Sequence, residues 1–348
     1  MIKINNKKIS LNCKPFIIAE MSGNHNQSLE KALEIVEKAH EIGADAIKIQ
    51  TYTPDTITIK SNMKDFIVHN KLHLWKGKTL HQLYGEAYTP WDWHKKIFDK
   101  ANSLGITIFS SPFDDTAVDF LEKLNVPCYK IASFEITDTN LIKRCALTKK
   151  PIIISTGMAS LSEIDQAVRV AKNSGCVNII LLKCTSNYPA NPSDSNLSTI
   201  RHMRELFNCE VGLSDHTKGI GAAIASIPLG ATVIEKHFKL SKYEKGVDGE
   251  FSLDPIEFKS LVEESRVAWQ SIGKIKYGPV DNEKNYLQYR RSLYVTQDMR
   301  KGEKFTKKNL KSIRPGLGLP VQNYEIIIGR KSSKAIKAGT ALSWKLVN

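Results

Sequence analysis

The chain has no uninterrupted apolar stretch long enough to cross a membrane or to form the core of a signal peptide. Its opening, MIKINNKKISLNCKPFIIAE, holds only short apolar runs. Export is therefore not expected, no membrane partner is expected, and the expected location is the cytoplasm. CxxC pairs are also missing: six cysteines, at 13, 128, 145, 176, 184 and 209, lie scattered. That argues against a cysteine-ligated zinc site and fits reduced core thiols. The Asn-x-Ser matches at Asn26 and Asn196 carry little meaning without secretion. There is no internal repeat beyond the β/α rhythm, no low-complexity tract, no basic helix and no nucleic-acid motif. Lys and Arg total 50 against 36 Asp and Glu, a formal charge of +14. Such an excess is compatible with nucleic acid, anionic surfaces or anionic substrates. Because it is dispersed along the chain, it does not form a binding tail, and nucleic acid is not an expected partner.

What is present is a rhythm. Apolar runs recur every ~20 to 30 residues, the repeat of a β/α unit. Eight are counted: FIIAE at residues 16–20, AIKIQ, ITIFSS, CYKIAS, PIIIST, NIILLKC, CEVGLS and TVIEKHF. Helical spacing lies between them, as in LEKALEIVEKAHEIGADA with its stop at Gly43, and over Trp91 to Leu104, Asp115 to Leu124 and Pro255 to Ile272. The expected fold is α/β, a (β/α)8 barrel over 1–272. Residues 273–291 then read as a linker, and 292–348 as a small domain of short strands and turns with a helix at Lys307 to Leu310. Thr51 to Tyr88 is too long for an ordinary βα loop. An insertion there, at the barrel's top, is expected to shape a pocket.

Five runs end in polar clusters, at Lys130 to Ser133, Ser155 to Gly157, Lys183 to Asn187, Ser214 to His216 and Glu235 to His237. Reactive groups of such barrels collect at the strands' C-terminal face. His216 and His237 close consecutive strands. They suit a divalent metal that keeps open positions, and they suit equally the role of hydrogen-bonding core histidines. Lys130, Ser133, Ser155, Asn187 and Ser214, with Gly157, form a mixture of point charge and short donors fit for a phosphate. Helix capping is the competing use of the serines and asparagine. Lys48, beside Gln50, can pair with a carboxylate. Glu20 ends an apolar strand, where an unpaired carboxylate would be costly, and so needs a partner. Trp91 and Trp93 read as packing.

At these positions the chain resembles the phosphoenolpyruvate-condensing sialic acid synthases. IAEMSGNHN, KIQTYTPDT, FSSPFD, YKIASFEI, STGMAS, CTSNYP, GLSDHT, IEKHF and the tail's RPGLGLP follow that family's segments in its order. IAEMSGNHN, QTYTPDT and GVDGEFSLDP are most similar to its pseudaminic-acid-forming branch. The resemblance implies a TIM barrel with a SAF (antifreeze-like) domain, in a homodimer whose swapped tail covers the partner's site. It implies a transferase that condenses phosphoenolpyruvate with an amino sugar aldehyde, 2,4-diacetamido-2,4,6-trideoxy-altrose in that branch, and releases phosphate. The product would serve surface glycans or flagellin.

Residue by residue, the resemblance makes His216 and His237 the holders of Mn2+ or Mg2+. Lys130, Ser133, Ser155, Asn187 and Ser214 would contact phosphate, and Lys48 with Ser111 the carboxylate. Glu20, Gln50, Tyr188 and Asp248 would handle the sugar and its protons, with Glu20 and Asp248 catalytic. Arg314 would reach the partner's sugar. Where sialic acid enzymes read GPDH, this chain reads GVDG at 246–249, which fits a 6-deoxy acceptor. The alternatives are an N-acetylneuraminate or legionaminate synthase with the same chemistry, a Schiff-base aldolase using Lys130 or Lys236, and a nucleic-acid-binding protein.

Overall fold

The computed structural model describes residues 1–69 and 75–348, so residues 70–74 of the insertion lie outside the described residues. Two strands come first, β1 (Ile2–Ile4) and β2 (Lys7–Ile9), antiparallel with Ile4 opposite Lys7. This hairpin is not among the expected strands, although its signal is present. Ile4 precedes Asn5-Asn6 and Ile9 ends the second strand, and Asn5 takes φ 48°, a left-handed conformation that Asn tolerates.

The eight expected strands are β3 (Phe16–Glu20), β4 (Ala46–Thr51), β5 (Thr107–Pro112), β6 (Tyr129–Ile131), β7 (Ile152–Ser155), β8 (Ile179–Cys184), β9 (Glu210–Asp215) and β10 (Val233–His237). They pair in parallel and in chain order, and β10 returns to β3 with His237 beside Glu20. The result is the closed (β/α)8 barrel. Outward positions such as Ile47, Ile49, Ile152, Ile154 and Ile234 pack with Ala32, Ile35, Val36, Ala39, Leu261 and Val262 of the surrounding helices. The first of these helices, Leu29–Glu41, is capped by Ser28. The last, Pro255–Ile272, has the expected ends, because Asp254 and Glu257 form a capping box ahead of a proline-led first turn. Among the described residues no helix is long and apolar enough to cross a membrane.

Inward positions form a second set. Phe16, Ile18, Ala46, Phe109, Ile153, Ile180, Leu182 and Val233 cluster with Ile2, Ile4 and Ile9, so the hairpin plugs the barrel's N-terminal end. Ile4 is fully buried there. Ile4→Ala is expected to cost about 2 to 5 kcal/mol, as for other buried isoleucines. Urea denaturation would show this as a lower midpoint at unchanged slope; an unchanged midpoint would mean that the plug contributes nothing. Gly212 occupies an inward position because a Cβ would lie 2.1 Å from the Val233 carbonyl oxygen.

Contacts divide the chain into Met1–Gly273 and Lys274–Asn348. In the second unit β11 (Ser292–Val295) pairs antiparallel with β12 (Leu310–Ile313) over a core that includes Leu293, Val295, Phe305, Leu310, Ile336 and Leu342. Residues 281–289 of the expected linker form a 3-10 helix, and Gln288 accepts a hydrogen bond from Gly316. The helix expected at Lys307 to Leu310 is instead a turn that leads into β12. Thr306 and Asn309 exchange side-chain and backbone hydrogen bonds that cap a single turn, and the pairing of Leu310 of β12 with Val295 ends it. All six cysteines are free thiols.

Candidate active site

Strand alternation builds the site. The inward rows that begin with apolar residues end in polar ones: Phe16, Ile18, Glu20 on β3; Ala46, Lys48, Gln50 on β4; Val233, Glu235, His237 on β10. Ser111, Lys130, Ser155 and Ser214 end the inward rows of β5, β6, β7 and β9. A cavity of about 450 Å³ lies at these strand ends. One wall carries Glu20, Lys48, Lys130, Ser155, Ser214, Glu235 and the two histidines. Ile57, Leu80, Leu83, Tyr84 and Ala87 also line it, so the expected insertion does shape the pocket.

The charged wall is one connected system. Lys48 Nζ lies 3.0 Å from Glu235 Oε1 and 3.3 Å from Glu20 Oε2. Lys130 Nζ donates to Ser155 Oγ at 2.7 Å and stands 3.8 Å from Glu235. Ser214 Oγ donates to Glu235 at 3.3 Å, and Gln50 donates to Glu20 at 2.8 Å. Burial works against the charge on Lys48, but its two carboxylates outweigh burial and keep its ammonium firmly charged. Lys130 has less compensation: burial, aided by the Lys48 charge and opposed by Glu235, brings it down to about 8. Burial lifts Glu20 to about 7 against the pull of Lys48. Glu235 resists burial because Lys130 and Lys48 hold it anionic, below its usual range.

Glu235 is thus the hub of the wall, and no role was expected for it. Its signal was the alternation itself, since it stands two residues before His237 in the same row. Glu135 was missed as well. It lines the cavity after β6, its Oε2 is buried without a hydrogen-bond partner, and burial raises it to about 7 against the Lys130 charge.

The two histidine rings lie 5.3 Å apart, centroid to centroid. His216 Nδ1 contacts the Thr185 carbonyl at 2.9 Å, which leaves Nε2 as its other nitrogen. His237 Nδ1 is buried without a partner, and burial, together with the His216 and lysine charges, holds that ring well below the ordinary histidine range. Asp248 Oδ2 is 4.0 Å from His237 Nδ1, beyond hydrogen-bonding reach, and accepts from the Gly23 amide at 3.3 Å. Burial raises Asp248, opposed by Ser22 and that amide. A neutral imidazole with an orphaned nitrogen, beside a second one oriented by a carbonyl, fits a divalent cation that draws its remaining ligands from substrate or water. Among the described residues no cluster of three His, Cys, Asp or Glu side chains is arranged to enclose a metal.

The other expected residues fall as follows. Ser133 lines the cavity and accepts from the Gly157 amide at 3.1 Å; a Cβ on Gly157 would meet Ser186 Oγ at 2.1 Å. Ser160, rather than any of the expected contacts, caps the following helix, Leu161–Asn173. Tyr188 stacks toward His216 at 4.4 Å and Phe251 at 5.2 Å. Asn187 is exposed and outside the lining, because Tyr188 takes the inward position of that loop. Ser111 lies beside Gln50 in register, its buried hydroxyl unpartnered, and is also outside the lining. Arg314 is exposed in the second unit. Lys236 faces away from the cavity into the sheet-helix layer, where it pairs with Asp215, so it is not available for a Schiff base in the pocket. Trp91 stacks on Phe120 and donates to the Tyr52 carbonyl, in keeping with packing.

A closed β/α barrel whose strand ends present two buried lysines, near-neutral carboxyls and a histidine pair defines an enzyme of the kind that grips a small anion. The chain belongs to the NeuB family, whose profile matches residues 35–277, and a SAF domain matches residues 290–348. A pseudaminic acid synthase of Campylobacter jejuni is 46% identical over 332 residues, 94% of this chain and 95% of that protein. One from Helicobacter pylori is 44% identical over 331 residues, 94% of this chain and 96% of that protein. Among solved structures, the N-acetylneuraminic acid synthetase of Leptospira borgpetersenii in complex with citrate superposes with a TM-score of 0.73 at 31% identity, covering 83% of this chain and 95% of that one.

Proposed function

We propose that this chain is a pseudaminic acid synthase, a transferase that condenses phosphoenolpyruvate with 2,4-diacetamido-2,4,6-trideoxy-β-L-altrose and water to give pseudaminic acid and phosphate. The observation that carries the reading is the lining of the cavity. Its buried ammonium groups suit a small polyanion, and the aliphatic and aromatic side chains that the insertion adds to its lining suit an acceptor bearing two acetamido methyls and a terminal methyl. Relatives of that activity spanning nearly the whole chain support it.

In this scheme C3 of phosphoenolpyruvate attacks the aldehyde carbon, whose oxygen becomes a hydroxyl by gaining a proton. Water adds at C2, and the tetrahedral centre loses phosphate by C–O cleavage, which leaves the keto acid. Lys48 and Lys130 hold the carboxylate and phosphate, with Ser133, Ser155 and Ser214 as short donors. Glu20 and Glu135, each brought near 7, are poised to give or take a proton at neutral pH, and Asp248 serves beside the histidines. His216 and His237 would hold Mn2+ or Mg2+, which supplies Lewis-acid polarisation of the aldehyde when bound. A homodimer in which Arg314 of one chain reaches the acceptor in the other's cavity completes the reading.

Isotopic labelling tests the chemistry. Phosphoenolpyruvate with oxygen-18 in its C–O–P bridge is expected to deliver the label to phosphate. Retention in the keto acid, or borohydride trapping of a substrate on Lys130, would replace the scheme with P–O cleavage or an aldolase, respectively.

A further inference from the structure

The buried pair Lys236 and Asp215 has no part in the chemistry above, yet it lies next to both histidines in sequence. The side chains are 0% and 2% exposed, and Lys236 Nζ donates to Asp215 Oδ2 at 2.7 Å. The two residues are register partners across β10 and β9. They extend the outward row that Ile234 and Val211 begin, so they sit in the layer between sheet and helices. In such a buried layer an ion pair is commonly no more stabilising than apolar residues of similar volume. Packing alone does not account for it.

Its connections suggest what does. Asp215 Oδ1 accepts from the Thr217 amide at 2.9 Å, while Lys236 also donates to the Thr217 carbonyl. One ammonium therefore joins the Asp215 side chain to the Thr217 backbone, the two residues on either side of His216. The same lysine stands between Glu235 and His237 in β10, so the clasp ties the end of each histidine-bearing strand to the other. Glu257, at the start of the helix Pro255–Ile272, is the further charge that acts on Lys236.

We propose that Lys236 and Asp215 are positioning residues, a clasp behind the barrel wall that sets the spacing of His216 and His237 for a shared divalent cation. The inference rests on the histidine pair's reading as a cation site. Neither residue touches substrate, and the clasp acts through the backbone of the strand ends. Outer partners that orient metal ligands typically change affinity by about 10- to 100-fold when removed.

The test is Mn2+ affinity, measured as free Mn2+ by electron paramagnetic resonance in the full chain without substrates. Wild type is expected to bind one Mn2+ per chain, and His216→Ala to abolish it. The paired variant Asp215→Leu with Lys236→Met keeps the layer apolar and is expected to unfold at a temperature close to wild type while its Mn2+ dissociation constant rises about tenfold or more. Lys236→Arg retains the charge but not the compact fit to Thr217, and is expected to weaken Mn2+ by a smaller factor in the same direction; it serves if the paired variant fails to fold. Wild-type Mn2+ affinity in either folded variant would overturn the clasp while leaving the cation site standing. Mn2+ binding that survives His216→Ala, or no binding by wild type, would instead overturn the cation site, and the clasp's purpose with it.

Discussion

Lys130→Met is expected to lower kcat/KM for phosphoenolpyruvate by about 10²- to 10³-fold, the scale for losing one preorganised donor to developing charge in a dry site, while the protein still folds. Methionine fills the same volume, and Glu235 retains Lys48 at 3.0 Å, so the wall loses an anion holder without an uncompensated buried charge. The pH dependence follows from the same residue. Burial lowers Lys130 to about 8, so its cationic form is complete below that pH and is lost as pH rises through it. Wild-type kcat/KM for phosphoenolpyruvate should therefore fall above about pH 8, since that ratio reports groups of the free enzyme. In Lys130→Arg the guanidinium stays charged and this alkaline limb should vanish, at some loss of fit. An alkaline limb that persists unchanged in Lys130→Arg would assign it to another group.

Lys48→Met is expected to act most strongly on stability. Lys48 stands between Glu20 and Glu235, both fully buried, and its removal leaves two carboxylates facing each other without the cation they share. Breaking a buried charge cluster in this way costs about 3 to 5 kcal/mol. The cost has a sign in pH. With Lys48 gone the folded carboxyls protonate more readily than unfolded ones, so the variant gains stability as pH falls and loses it as pH rises through their raised range. Urea denaturation at pH 6 and pH 8 should show a larger deficit at pH 8, and adding Glu235→Gln should recover part of it. An equal deficit at both pH values, with no recovery, would mean that lost packing rather than charge is responsible.

Most of the barrel was legible because one rule governs it: apolar runs of strand length separated by helical spacing. The site was legible for the same reason, since Lys130, Ser155, Ser214 and His237 continue the inward apolar rows of their strands. What escaped depends on contacts that spacing does not encode. Alternation turns Glu235 inward with His237, but its partner Lys48, 187 residues away, is brought to it only by the closure of β10 on β3. Glu135 sits in a 3-10 turn with no period to mark it, and its importance comes from burial. Asn187 was expected inside, but Tyr188 took that place by packing on His216 and Phe251. In the tail, the helix expected at Lys307 to Leu310 gives way to a turn because Leu310 of β12 pairs with Val295. The N-terminal hairpin was readable from Asn5-Asn6 and was overlooked because three-residue strands carry little periodicity.

The central claim is the acceptor. Phosphate release from phosphoenolpyruvate should be followed in the presence of Mn2+, with 2,4-diacetamido-2,4,6-trideoxy-β-L-altrose, with N-acetylmannosamine, and with no sugar. The account predicts release with the altrose and none above background with the other two. Preferential release with N-acetylmannosamine would contradict it and make this chain a sialic acid synthase.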